Sequence, residues 1–69
     1  MRGNFFYKKI AEKIINKRKN CQMTQEKLAM LSEIDRTYLA RIEEGKANPS
    51  IKILNKICRK LKIKLHQLF

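Results

Sequence analysis

The sequence predicts an all-α fold, a compact domain of four to five helices filling residues 1–69 as one unit. Three observations carry that prediction. Apolar residues return every three or four positions through most of the chain, which is the spacing of one helix face. The breaks fall at residues that cap helices, with Thr24, Asp35 and Ser50 placed at starts and Gly45 at an end. No stretch shows the alternation of a half-buried strand, and no linker is long enough to separate domains.

The first helix is expected from about Phe6 to Lys19, with Ile10 and Ile14 one turn apart, Tyr7 a turn earlier and Ala11 beside them. It breaks over Asn20 to Met23, because Asn tolerates the left-handed conformation that ends a helix. Thr24 can cap a second helix, its hydroxyl accepting from an orphan backbone N–H. Leu28, Ala29 and Leu31 form that helix's buried stripe, which stops near Ser32. Asp35 opens a third helix with Leu39 and Ile42 on its apolar side, and Gly45 closes it. Asn48-Pro49 marks a turn, since the residue before proline avoids the helical region. Ser50 caps a fourth helix that turns Ile51, Leu54, Ile57, Cys58 and Leu61 inward. Ile63, Leu65, Leu68 and Phe69 make a short apolar terminal segment.

A chain of 69 residues buries only about 60% of the surface its unfolded form exposes, so its stability is marginal unless it oligomerises. Seventeen Lys and Arg against six acids leave a net charge of +11. The excess sits at the ends. Arg2, Lys8, Lys9, Lys13, Lys17, Arg18 and Lys19 face one acid, Glu12, in the first segment, and no acid follows Glu44. Basic ends around a near-neutral centre fit a polyanionic partner, either nucleic acid or an anionic membrane face.

Several classes are set aside. No apolar run approaches the roughly 20 residues of a membrane span, and MRGNFFYKK lacks the long apolar region of a secretory signal. The expected location is therefore the cytoplasm. Cys21, Cys58 and the single His66 lack the spacing of a metal site, so no metal and no cofactor are expected. The two thiols read as small apolar side chains. No Ser or Cys stands beside a base, no acids pair in an apolar setting, and no Gly-rich loop is present, so an enzyme is not expected.

The segment from Met23 to Ser50, MTQEKLAMLSEIDRTYLARIEEGKANPS, has the form needed to lay one helix in the DNA major groove. A bracing helix, a tight turn and a recognition helix occupy about residues 24–44. Ala29 is small where the helices pack closely, and Ile34 anchors the turn. Arg36 is the best candidate for direct base contact, because a guanidinium can bond guanine O6 and N7 together. Thr37 can bond a base edge and offer its methyl to thymine. Tyr38 can meet a phosphate or sugar, while Arg41 either reaches the DNA or pairs with Glu44 at i+3. Gln25 lies where free N–H groups favour a phosphate, and Lys46 and Asn48 are placed to reach the backbone on the other side.

TQEKLA, DRTY, IEEGKANPS and the apolar rhythm of the last helix resemble the phage-repressor-type helix-turn-helix family, over about residues 10–68. DRTYLARIEEGKANPS is similar to the version found in restriction-modification controller proteins. The resemblance implies a repressor-like DNA-binding domain that reads a palindromic operator in double-stranded DNA as a homodimer and regulates transcription. It implies a phosphate contact for Gln25 and a groove-facing position for Arg36, Thr37 and Tyr38. It further implies a structural ion pair between Arg18 and Glu43, and dimerisation through the C-terminal region, where Leu65, Leu68 and Phe69 are the candidates. RNA polymerase is a further expected partner if the protein activates. The alternative reading on the same fold is an antitoxin-type interaction module whose partner is a toxin. Three residues depart from the family pattern. Gln22 and Glu33 stand where Gly, or Gly or Asn, is usual, and Lys17 stands where an apolar residue is usual.

Overall fold

The computed structural model describes residues 2–69, with side chains described from Phe5 onward. Four α-helices and a terminal 3₁₀ turn follow one another: α1 (Arg2–Asn20), α2 (Gln25–Ser32), α3 (Arg36–Glu43), α4 (Ile51–Leu61) and the turn Leu65–Leu68. α1 starts a turn earlier than its apolar periodicity indicates, since extending an existing helix is far easier than nucleating one. α1 packs on α3, α2 packs on both α3 and α4, and the terminal turn closes against α1 and α4.

Two of the three expected N-caps are made through the side chain. Thr24 Oγ1 accepts from the Lys27 N–H at 3.0 Å, and Ser50 Oγ accepts from the Ile53 N–H at 3.2 Å. Asp35 has the extended backbone of a cap, but its carboxylate makes no capping bond.

Every α-helix ends in the same way. The N–H two residues past the last helical turn bonds the carbonyl five residues back, as a left-handed residue turns the chain: Met23 to Arg18, Ile34 to Ala29, Lys46 to Arg41 and Ile63 to Cys58. Gly45 takes the left-handed position after α3, as the sequence indicates, at φ 73°. The other three are Gln22, Glu33 and Lys62, at φ 57°, 59° and 61°. The first break therefore turns at Gln22 and not at Asn20, which completes α1. What holds these side-chain-bearing residues in a costly conformation is the next residue. Met23, Ile34 and Ile63 each pack against the core, the apolar contact that accompanies this type of helix end.

The core gathers Ile10 and Ile14 from α1, Leu28 and Ala29 from α2, Leu39 and Ile42 from α3, and Leu54, Ile57, Cys58 and Leu61 from α4. Three expectations need correction. Ile51 is 58% exposed; it continues the α4 stripe by spacing but stands in the first turn, where no neighbour covers it. Leu31 is half-buried, with Ser32 taking the inward position beside it. Leu68, expected at a subunit interface, is 1% exposed and seals the monomer core. The surface left for a partner at this end comes from half-buried Leu65 and from Phe69, which is 53% exposed.

Candidate nucleic-acid interface

One end of α3 is held by a hydrogen-bonded cluster. Arg18, near the end of α1, grips Glu43, at the end of α3, through two parallel bonds: Nε to Oε2 at 2.7 Å and Nη2 to Oε1 at 3.0 Å. Its remaining nitrogen, Nη1, donates to the Met23 carbonyl at 2.8 Å. Gln25 Nε2 donates to Glu43 Oε1 at 2.8 Å. The carboxylate is almost wholly buried, and three donors satisfy it, so its charge is compensated where water cannot reach it. The cluster joins the ends of α1 and α3 to the start of α2. Gln25 thus spends one amide N–H on steadying α3, and its other N–H has no bond among the described residues.

The exposed polar residues of α3 lie at its start and along its outer side. Arg36 and Thr37 begin the helix, are exposed, and make no side-chain hydrogen bond among the described residues. Leu39, Ile42 and Glu43 face inward, which turns Thr37 and Arg41 outward; Arg36, three residues before Leu39, shares its side of the helix and is exposed because it stands in the first turn. Tyr38 is half-buried, its ring packed against the core. An α-helix with its side chains is about 10–12 Å across, which a major groove about 12 Å wide admits.

The loop after α3 flanks the helix. Arg41 does not pair with Glu44; its Nη2 donates to the Lys46 carbonyl at 3.2 Å and steadies the turn. Glu44 lies instead 3.9 Å from Lys46 Nζ, with both side chains largely in solvent. An exposed pair of this kind holds little energy. Asn48 is exposed, and its Oδ1 accepts from the Tyr7 hydroxyl at 2.6 Å. Local sequence carries no sign of this last contact, because 41 positions separate the two residues and Tyr7 reads as part of the α1 core stripe.

Gln25, Arg36, Thr37, Arg41, Lys46 and Asn48 therefore stand at the start of α2, along the outer side of α3 and in the loop beyond it. Among the described residues no three His, Cys, Asp or Glu side chains gather as metal ligands would. No described helix is long and apolar enough to cross a membrane. Such a surface can bond acceptor groups at three points along a polyanion.

Residues 14–68 match the helix-turn-helix family. The chain is 40% identical over 53 residues to the control protein C.MunI of a Mycoplasma species, an alignment spanning 77% of this chain and 72% of that one. The restriction-modification controller protein C.AhdI from Aeromonas hydrophila superposes with a TM-score of 0.88 at 32% identity, covering 91% of this chain and 96% of its own. The wild-type restriction-modification controller protein C.Esp1396I superposes with a TM-score of 0.85 at 34% identity, covering 93% and 86%.

Proposed function

This chain belongs to the helix-turn-helix family, and from that premise we propose that it is a DNA-binding transcriptional regulator that reads a palindromic operator as a homodimer. The observation that carries the reading is the pairing of a fixed back with a free front. The Arg18–Glu43–Gln25 cluster locks α3 in place, and Arg36 and Thr37 project from its exposed start. Arg36 reads a base by bidentate bonding and Thr37 reads a neighbour. Gln25, Lys46 and Asn48 set register through phosphates, and Arg41 and Tyr38 line the groove edge.

One such module contacts few base pairs. Two modules joined at Leu65 and Phe69 would read half-sites about one helical turn apart, near 34–36 Å. The similarity to C.MunI, C.AhdI and C.Esp1396I favours control of a restriction-modification system. Repression then follows from covering a promoter, and activation from touching RNA polymerase beside it. A reader of chromosomal DNA works in the cytoplasm of a bacterial cell.

The test is selection of binders from a random duplex pool at near-physiological salt. Enrichment of a palindrome with that half-site spacing supports a dimeric, sequence-reading regulator. Salt-sensitive retention of all sequences alike would mean that charge binds alone and would sink the reading.

A further inference from the structure

The loop that follows the recognition helix is not a free tether. Gly45 brings it so near α1 that a Cβ built there would stand 2.8 Å from Lys8 Cγ and 3.2 Å from Lys8 Cα. Ala47 packs against the core and Pro49 is buried. Between them Asn48 is exposed, and the Tyr7 hydroxyl on α1 holds its Oδ1 at 2.6 Å. Tyr7 is itself braced. Phe6 meets its ring edge-on with centroids 5.5 Å apart, and Phe6 stacks in turn on Phe69 at 5.9 Å.

An asparagine amide has an accepting end and a donating end. A phosphate oxygen accepts only, so the amide must present Nδ2 to it; turned the other way, Oδ1 would face the phosphate and repel it. Because the tyrosine proton occupies Oδ1, the donating end is left for a ligand. We propose that Tyr7 is a positioning residue for DNA binding, fixing the Asn48 amide so that its Nδ2 donors meet a backbone phosphate. This rests on the reading that Asn48 touches the DNA backbone. Tyr7 touches no DNA itself; it removes the rotamer freedom that Asn48 would otherwise lose on binding.

A phosphate contact is independent of sequence, so the probe is a random-sequence duplex of about 30 base pairs, long enough for two half-sites. Affinity of the full chain is measured across a salt series for Tyr7→Phe, Asn48→Ala and the double variant, at a temperature where circular dichroism shows all four proteins folded. Tyr7→Phe keeps the ring and its aromatic neighbours and deletes only the hydroxyl. The expected result is a loss of about three- to tenfold for each single variant, as one hydrogen bond implies. The double variant should bind no worse than Asn48→Ala, since Tyr7 acts only through Asn48. Both residues are neutral, so the salt lines should shift in parallel.

Wild-type affinity for Tyr7→Phe beside a weakened Asn48→Ala would overturn the positioning role and leave the Asn48 contact standing. Additive losses would overturn it too, because Tyr7 would then be contacting DNA directly. A flatter salt slope for Tyr7→Phe would mean that the loop and Lys46 had come away, a structural role in place of a positioning one. Wild-type affinity for Asn48→Ala would remove the underlying contact, and the inference with it.

Discussion

Arg18 and Glu43 face each other across the α1–α3 contact as a planar fork against a planar carboxylate, with both bonds at or under 3.0 Å and the acid side chain only 3% exposed. Taking charges out of water is costly, and the geometry repays it only while both partners remain. Glu43→Ala strands a guanidinium and should destabilise the domain by about 3–5 kcal/mol. Exchanging both residues for apolar ones of similar size should cost much less than the sum of the two single changes. Urea denaturation of the four proteins checks this; a double-variant loss equal to the sum of the two single losses would show that the pair is not coupled.

Gln22, Glu33 and Lys62 each occupy the left-handed region that disfavours a side chain. The conformation costs an L-residue about 1–2 kcal/mol, and a glycine there gives back about 0.5–1 through lost chain entropy. Each substitution by Gly should therefore raise stability by roughly 0.5–1 kcal/mol, and the three together should approach the sum. The expected readout is a higher urea midpoint with an unchanged slope. A lower midpoint would mean that the three side chains make stabilising contacts in the turns.

Arg36→Ala should lower affinity for the preferred operator by about 1–3 kcal/mol and relax specificity at one position of each half-site. Scrambled DNA should lose less. The comparison is made by titrating both duplexes at one salt concentration. Equal losses on the two would reassign Arg36 to the phosphates.

Cys21 is exposed and Cys58 buried, and desolvation by burial pushes the Cys58 thiol up from its ordinary value. At neutral pH a disulfide reagent should label Cys21 quickly and Cys58 only at the rate of unfolding. The shift also has a sign in stability. The folded state keeps its proton where the unfolded thiol has lost it, so this contribution is intact below the ordinary thiol pKa and declines as pH rises through it. Stability measured either side of that value should fall on the alkaline side. Fast labelling of both thiols in the folded protein would refute the burial.

The order and type of the helices are legible in the sequence because they depend on local signals. Thr24 and Ser50 cap where their hydroxyls can reach the third N–H, and the apolar spacing of α4 sets its buried side from Leu54 onward. The outward side of α3 is equally legible, since Leu39 and Ile42 inward leave Thr37 and Arg41 outward, whereas the exposure of Arg36, three residues before Leu39, comes from its place at the helix start. What escapes local reading depends on distant regions of the chain. Ile51 follows the stripe yet is uncovered, and Leu68 looks free for a partner until the terminal turn folds onto α1 and α4. The Tyr7–Asn48 bond and the approach of Gly45 to Lys8 exist only once α1 and the loop after α3 are brought side by side.

The apolar residues after the turns bear on how this domain comes apart. Met23, Ile34 and Ile63 are at once the closing hydrogen-bond donors of α1, α2 and α4 and side chains packed against the core. None of those helices can fray from its C-terminal end without withdrawing a residue from the interior. Local opening is thereby coupled to the loss of tertiary packing, which is how so short a chain can melt cooperatively. Backbone amides near these three ends should exchange with solvent about as slowly as those of the helix centres, where ordinary helix ends exchange fast.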